Sequence, residues 1–373
     1  MCVLKNHNDL VHLSIEEIDE RIKNGTLNEI SRRDLIQKGM GILGGLTLAS
    51  YFLTKTNPVF ADIEWTGDTT KNKSNNTDTT KTGKSTVVQV SNEDSVDSTG
   101  EAIDGPVNEM LLRGISELTG ENDPNRAWRK IASDGQRVGI KVNCIAGRGI
   151  STQVPLVMAI VTALKSSGVK ERDILIWDRS DREIKHAGYS LSNGTDSLRC
   201  CGTKNYESNM NNINGTNFKL STILTEEIDV LINVPVAKNH GTAGVTLSLK
   251  NHYGSHHNPG DHHANNCDPY IADICSHKTI REKTKLVVCD TLRAQCNGGP
   301  SNKPGFQWHP GTILMGFDPV AVDRIGSEII DARRKETGIQ PLGNSHRHIT
   351  TAAKLGLGID NLKQIDLRKV VVK

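Results

Sequence analysis

The chain has 373 residues, with 45 basic against 43 acidic side chains and a formal net charge of +2. That balance, without any dense Lys/Arg tract interleaved with aromatics, excludes nucleic acid as a partner. The length exceeds one typical domain of roughly 100–200 residues, and the low hydrophobic fraction of 36% traces partly to one polar stretch, so the remainder can bury a core.

In chain order, residues 14–24 first read as a short amphipathic helix, with Ser14 and Glu17 in capping-box spacing. Ser31-Arg32-Arg33-Asp34-Leu35-Ile36 then precedes an uncharged apolar run from Gly39 to Leu53, the order of a twin-arginine export signal. The run is shorter than the roughly 20 residues that span a bilayer. Val59-Phe60-Ala61 offers small residues where a signal peptidase reads, which predicts a signal over residues 1–61 and a mature start near Asp62; an uncleaved anchor is the alternative. The expected partner is the twin-arginine export machinery, with membrane contact only during export and a periplasmic or extracellular destination. That machinery resembles a carrier of folded, often cofactor-loaded proteins, which favours a bound metal or cofactor.

Residues 62–99 read as a flexible polar tether, broken only by Val87-Val88-Gln89-Val90. From residue 100 to 373 the pattern changes to an α/β domain. Strands are expected at 137–142, 173–177, 229–234, 285–289 and 313–317, each short and rich in Val or Ile. Helices are expected at 152–167 and 318–334, the second with Asp318 as N-cap and Pro319 at its first position. Strands separated by helices predict a largely parallel sheet with flanking helices. Such a sheet places its ligand site at the C-terminal ends of the strands. The residues just past the expected strands are Lys141, Asn143 and Cys144; Asp178, Arg179 and Asp181; Lys238 and His240; Asp290; and Asp318 and Asp323.

Between Asn233 and His277 lie His240, His252, His256, His257, His262, His263 and His277, more than half of the 13 histidines. Imidazoles with Cys267 and Asp261 nearby predict a transition-metal site. The expected ligands are His252, His256, His257, His262, His263 and Cys267. The spacing matches no closed zinc motif, so zinc, iron and nickel all stay open. The alternative is a solvated polar loop.

The stretch leading into this segment contains Pro235, Lys238 and His240, then Gly244-Val245-Thr246-Leu247-Ser248-Leu249-Lys250-Asn251. It resembles the signature of the family named domain of unknown function 362. Ile140-Lys141-Val142-Asn143, the loop from Asp290 to Gly299-Pro300, and Asp318-Pro319-Val320-Ala321-Val322-Asp323 resemble further family motifs, in the family's order. The resemblance implies an α/β fold and a shared site but no named reaction. Some relatives carry a ferredoxin-like tail of clustered cysteines, which this chain lacks between residues 1 and 373. A second likeness is to lactate racemase-like enzymes, which place a His and a Lys about ten residues apart on a Gly-containing stretch, as His240 and Lys250 are here.

Cleavage after Ala61 would remove Cys2 from the eight cysteines. The odd remainder leaves at least one thiol free, paired between chains or bound to metal. The resulting expectation is an exported metal- or cofactor-dependent α/β enzyme performing redox or isomerisation chemistry on a small acid. Its catalytic residues would be Lys141, His240 and Lys250, with His240 as acid/base or ligand. Asn143, Asp178, Lys238, Asn251, Asp290 and Asp323 would surround the cofactor. The rival is a non-catalytic periplasmic protein that captures a metal or a small anion.

Overall fold

A computed structural model describes residues 83–373. The expected signal over residues 1–61 and the first part of the tether lie outside the described residues.

The elements in chain order are β1 (Ser85–Ser91), α1 (Asp104–Thr119), α2 (Pro124–Arg129), β2 (Val138–Lys141), α3 (Val154–Ser166), β3 (Ile174–Asp178), α4 (Asp181–His186) and β4 (Arg199–Gly202). A small hairpin, β5 (Asn211–Ile213) and β6 (Thr216–Phe218), follows. The second half holds β7 (Val230–Asn233), β8 (Val236–His240), β9 (Gly244–Thr246), α5 (Ser248–Asn251), α6 (Tyr270–Cys275), α7 (Lys278–Lys283) and β10 (Thr284–Gln295). It ends with β11 (Gln307–Trp308), β12 (Thr312–Gly316), α8 (Pro319–Glu336), α9 (His348–Lys354) and β13 (Ile365–Val371).

The main sheet runs β13-β1-β12-β10-β7-β2-β3-β4. The pairs β10/β7, β7/β2, β2/β3, β3/β4 and β1/β13 are parallel, and β12 runs antiparallel to both of its neighbours. The expected α/β class with a largely parallel sheet is therefore observed. All five expected strands form. Helix α8 begins as expected, with Asp318 accepting from Val320 N at 2.9 Å and Ala321 N at 3.0 Å.

Alternation along each strand sends successive side chains into two apolar layers. Val88, Val288 and Met315 join Met110, Leu111, Ile115, Leu156 and Ile160 of α1 and α3 on one face. Val87, Val287 and Leu314 join Ile271 of α6 and Val320 and Ile325 of α8 on the other. Adjacent Cys200 and Cys201 on β4 follow the same alternation into opposite layers, which is why they do not bridge. All seven described cysteines are free thiols, and six of them are buried.

Two expectations about boundaries are corrected. Residues 85–91 are not tether: β1 lies between β12 and β13, with Val87, Val88 and Val90 fully buried. The apolar patch that interrupts the polar stretch supplies side chains to both layers, and that burial outweighs its polar flanks. Strand β10 continues well beyond residue 289, as far as Gln295, so Asp290 sits mid-strand rather than at an exit. Among the described residues no helix is long and apolar enough to cross a membrane.

Val88→Ala should lower stability by about 1–3 kcal/mol in urea denaturation; a position in a flexible tether would move it by less than about 0.5 kcal/mol.

Candidate functional site

Strands β2 and β3 are in parallel register, with Lys141 beside Trp177, so Lys141 and Asp178 leave the sheet at adjacent ends. Lys141 Nζ donates to Asp178 Oδ1 at 2.6 Å and to the Val142 carbonyl at 2.8 Å. Asp178 also accepts from Cys144 N and Arg179 N, each at 2.7 Å. Lys141 is fully buried. A buried ion pair holds only when its remaining donors and acceptors are satisfied, and here the backbone does that.

Asn251, on α5, closes the network. Its Oδ1 accepts from Asn143 Nδ2 at 3.1 Å and from Lys141 Nζ at 3.4 Å, and its Nδ2 donates to Asn233 Oδ1 at 2.7 Å. Behind it, the fully buried Lys238 donates to Asn143 Oδ1 at 2.9 Å and to the Ile150 carbonyl at 3.0 Å. Burial draws the Lys238 ammonium down to about 7, opposed by the attraction of Asp178. The ends of β2, β3, β7 and β8 are thereby tied to one short helix.

That helix carries Lys250 into a cavity of about 220 Å³, whose lining includes Asn143, Asp178, His240, Asn251, Tyr253 and His263. Lys250 Nζ lies 3.6 Å from the centroid of the Tyr253 ring, a cation–π contact. Burial lowers Lys250 to about 8, with the neighbouring Cys267 thiol pulling the other way. The same thiol is raised by burial, against the pull of Lys250 and Tyr253. No carboxylate pairs with Lys250 among the described residues. The other cation of the lining, Arg179, is paired with Glu183.

His240 ends β8, and its Nδ1 accepts from Thr242 N and Ala243 N, both at 3.1 Å. Two converging N–H donors require a lone pair on Nδ1, so the ring proton is on Nε2. Burial, then Lys250, drives its basicity down to about 2, so the ring stays neutral. His263 stacks on it with centroids 5.7 Å apart. His263 Nδ1 lies 2.8 Å from the Pro259 carbonyl, which only accepts, so this ring carries its proton on Nδ1. Burial and Lys250 hold His263 below the usual histidine value.

Of the expected site residues, Lys141, Asn143, Asp178, Lys238, His240, Lys250 and Asn251 are brought together. Lys238 stands behind the cavity and positions Asn143. Asp290 and Asp323 are elsewhere, a correction to the expected cofactor shell. Asp290 is fully buried and accepts from Gln153 N at 2.7 Å and Leu292 N at 3.1 Å, holding the start of α3 against β10. Asp323 accepts from Ser248 N at 2.7 Å and Leu249 N at 3.0 Å, so it caps α5. Burial raises Asp290 to about 6 and Asp323 to about 7.

The expected metal ligands are spread over two sides of α5 rather than gathered at one point. Among the described residues no group of three or more His, Cys, Asp or Glu side chains is placed to hold an ion. The rings pack on one another instead, His256 on His262 at 5.0 Å and both His256 and His263 on Tyr253 at 5.3 Å between centroids. One nitrogen of each ring meets the backbone, His256 Nδ1 at the His257 carbonyl, His257 Nδ1 at Lys219 N and His262 Nε2 at the Asn217 carbonyl, while His256 Nε2 and His262 Nδ1 are buried without a hydrogen-bond partner. His252 turns to the opposite side of α5, where it lines a second cavity with Leu249 and Cys275. The turn sequence at Asn258-Pro259-Gly260-Asp261 does fold the pairs together, but as ring packing. His240 lacks a free lone pair for a metal, because its unprotonated nitrogen is already occupied.

Sequence reasoning missed Tyr253, Thr246, Glu183 and Gly254 in the lining. Tyr253 had a signal, since it stands three residues after Lys250, the spacing that stacks side chains on a helical turn. Gly254 had none. A Cβ there would come within 2.5 Å of Asp178 Oδ1 and 2.7 Å of Lys141 Nζ, so the backbone lies directly on the ion pair. Gly254→Ala should cost about 1–3 kcal/mol in urea denaturation; an unchanged midpoint would mean that the pair yields freely.

No curated protein matches the chain. Among solved structures, a crystal structure of a protein from Thermotoga maritima is similar at 12% identity and a TM-score of 0.38, over 64% of this chain and 61% of that one. The chain thus spans less than two thirds of that protein. Residues 138–328 match the family model described as "Domain of unknown function (DUF362)". The matched segment runs from β2 through most of α8 and so contains the Lys141–Asp178 pair, the Lys250 helix and both cavity histidines. It covers more than half of the chain, which belongs to the DUF362 family.

Proposed function

We propose that this protein is exported and that its strand-end cavity binds a small carboxylate through Lys250 and moves a proton on it. The observation that carries the site is the Lys250 ammonium, buried at the wall of a cavity with no carboxylate partner among the described residues. A buried ammonium met only by the Tyr253 ring and the Cys267 thiol lacks a counter-charge, which is costly, and an anionic ligand offsets that cost. The other charges nearby are already matched, Lys141 by Asp178 and Arg179 by Glu183. Two neutral imidazoles stand beside the cation, and His263, whose Nε2 keeps its lone pair, provides a group for proton transfer. A volume of about 220 Å³ suits a molecule of a few heavy atoms. Export is supported by the order Arg32-Arg33, apolar run, Val59-Phe60-Ala61.

Calorimetric titration of the purified protein with pyruvate, lactate and oxalate tests this site. Lys250→Met should weaken the carboxylate that binds by about 10- to 100-fold, the value of a charge-assisted contact. Lys250 is cationic below its value of about 8. Affinity should therefore be constant from neutral pH up to that point and fall about tenfold per pH unit above it. Absence of binding by all three, or a Lys250→Met variant that binds like the native protein, would refute the reading. A cell fractionation with Arg32→Lys and Arg33→Lys together should retain the protein in the cytoplasm.

A further inference from the structure

Two histidines in one cavity are ordinarily interchangeable as acids and bases, because each ring can carry its proton on either nitrogen. Here the backbone removes that freedom in opposite senses. The turn after β8 aims the amides of Thr242 and Ala243 at His240 Nδ1. A proton on that nitrogen would confront two N–H donors, so His240 presents Nε2–H and nothing else. The turn at Pro259 places a carbonyl against His263 Nδ1. Its proton is held there, and Nε2 carries the lone pair. The rings stack at 5.7 Å with an interplanar angle of 30°, so a donor and an acceptor stand side by side on one cavity wall with Lys250.

We propose that His240 Nε2–H holds a substrate oxygen while His263 Nε2 takes a proton from carbon, and that the substrate is a small 2-oxo carboxylate with a C–H bond beside its carbonyl. This rests on the carboxylate-binding reading of the Lys250 cavity and assigns its chemistry. The ammonium takes the carboxylate and the fixed N–H takes the 2-oxo oxygen. The C–H bond at the neighbouring carbon breaks, its proton passes to His263 Nε2, and its electron pair forms a C=C bond. The carbonyl π pair moves to oxygen, where the His240 N–H stabilises it without giving up its proton. Return of a proton from His263 to carbon regenerates the ketone, so the cycle needs no oxidant or reductant.

The two rings therefore have unequal roles. His240 is a permanent neutral donor, and the reversible base is His263. The charged and titratable groups around His263 are Lys250 and Tyr253 from α5 and the turn after it, His240 from β8, His262 on its own turn, and Asp178, Arg179 and Glu183 across the cavity. The carboxylates among these are paired with cations, so burial first and then Lys250 hold His263 neutral.

Pyruvate in D2O, followed by NMR as deuterium entering its methyl group, tests the assignment. The native protein should exchange the methyl protons well above the spontaneous rate. The rate should rise with pH until His263 is neutral, below the ordinary histidine range, and fall above about 8 as Lys250 loses its charge. His263→Gln should lower exchange by at least about 100-fold while pyruvate affinity, which also reports folding, is kept. His240→Phe should lower it by about 100- to 1000-fold, and His240→Gln, which restores an N–H donor, should recover part of the loss. Binding without exchange by the native protein, or undiminished exchange in His263→Gln, overturns this assignment and leaves the carboxylate reading standing. A native protein that binds lactate or oxalate but not pyruvate overturns this assignment alone, and one that binds none of the three overturns both.

Discussion

The arrangement of this site depends on one buried ion pair, Lys141 with Asp178. The two side chains leave neighbouring parallel strands, and neither can relax toward water, since Lys141 is fully buried and Asp178 nearly so. Removing one partner of such a pair leaves an uncompensated charge in the interior, at a cost of about 3–5 kcal/mol. Everything that approaches the sheet end must respect it. The Gly254 backbone can pass because glycine has no Cβ, the amides of Cys144 and Arg179 satisfy the carboxylate, and Asn251 supplies the oxygen that completes the lysine's shell.

Because Asn251 serves that network, the helix that bears it also sets the direction of Lys250. Helix α5 is only four residues long and would not persist alone. It is held at its start by Asp323 from α8, whose carboxylate takes the amides of Ser248 and Leu249, and near its end by Asn251. Between these two anchors Lys250 has nowhere to place its ammonium except the cavity wall, over the face of Tyr253. Asp290 and Asp323, two of the three aspartates expected at a cofactor, thus have structural duties, and Asp323 positions the cation without touching the cavity.

The histidines show how one residue type reads differently once backbone geometry is known. In the chain they form a cluster that composition alone associates with metals. In the fold His256 and His263 each turn one nitrogen to a carbonyl of their own segment, His262 turns one to Asn217 on β6, and the rings of His256 and His263 pack against Tyr253. Satisfying polar atoms locally, in a segment with little regular structure, is what makes a buried loop tolerable. The same local bonds fix which nitrogen of His240 and of His263 carries the proton, and so confer unequal chemistry on two identical side chains.

Much of this protein was legible from residue order. Short Val- and Ile-rich strands separated by amphipathic helices defined a parallel α/β sheet, polar residues at the strand exits located Lys141, Asn143, Asp178 and His240, and the family-like stretch after them added Lys250 and Asn251. These features are local, set by periodicity, capping and the convention that such sheets bind at one edge. What the tertiary structure alone decided depends on partners distant in sequence. It made a strand of residues 85–91 by burying both of their faces between β12 and β13, and it extended β10 past Asp290 through pairing with β8, β11 and β12. It also withdrew Lys238 behind Asn143 and turned the histidines inward. Burial and hydrogen bonding across more than a hundred residues of chain, as between Lys141 and Asn251, carry no mark in any short window of sequence.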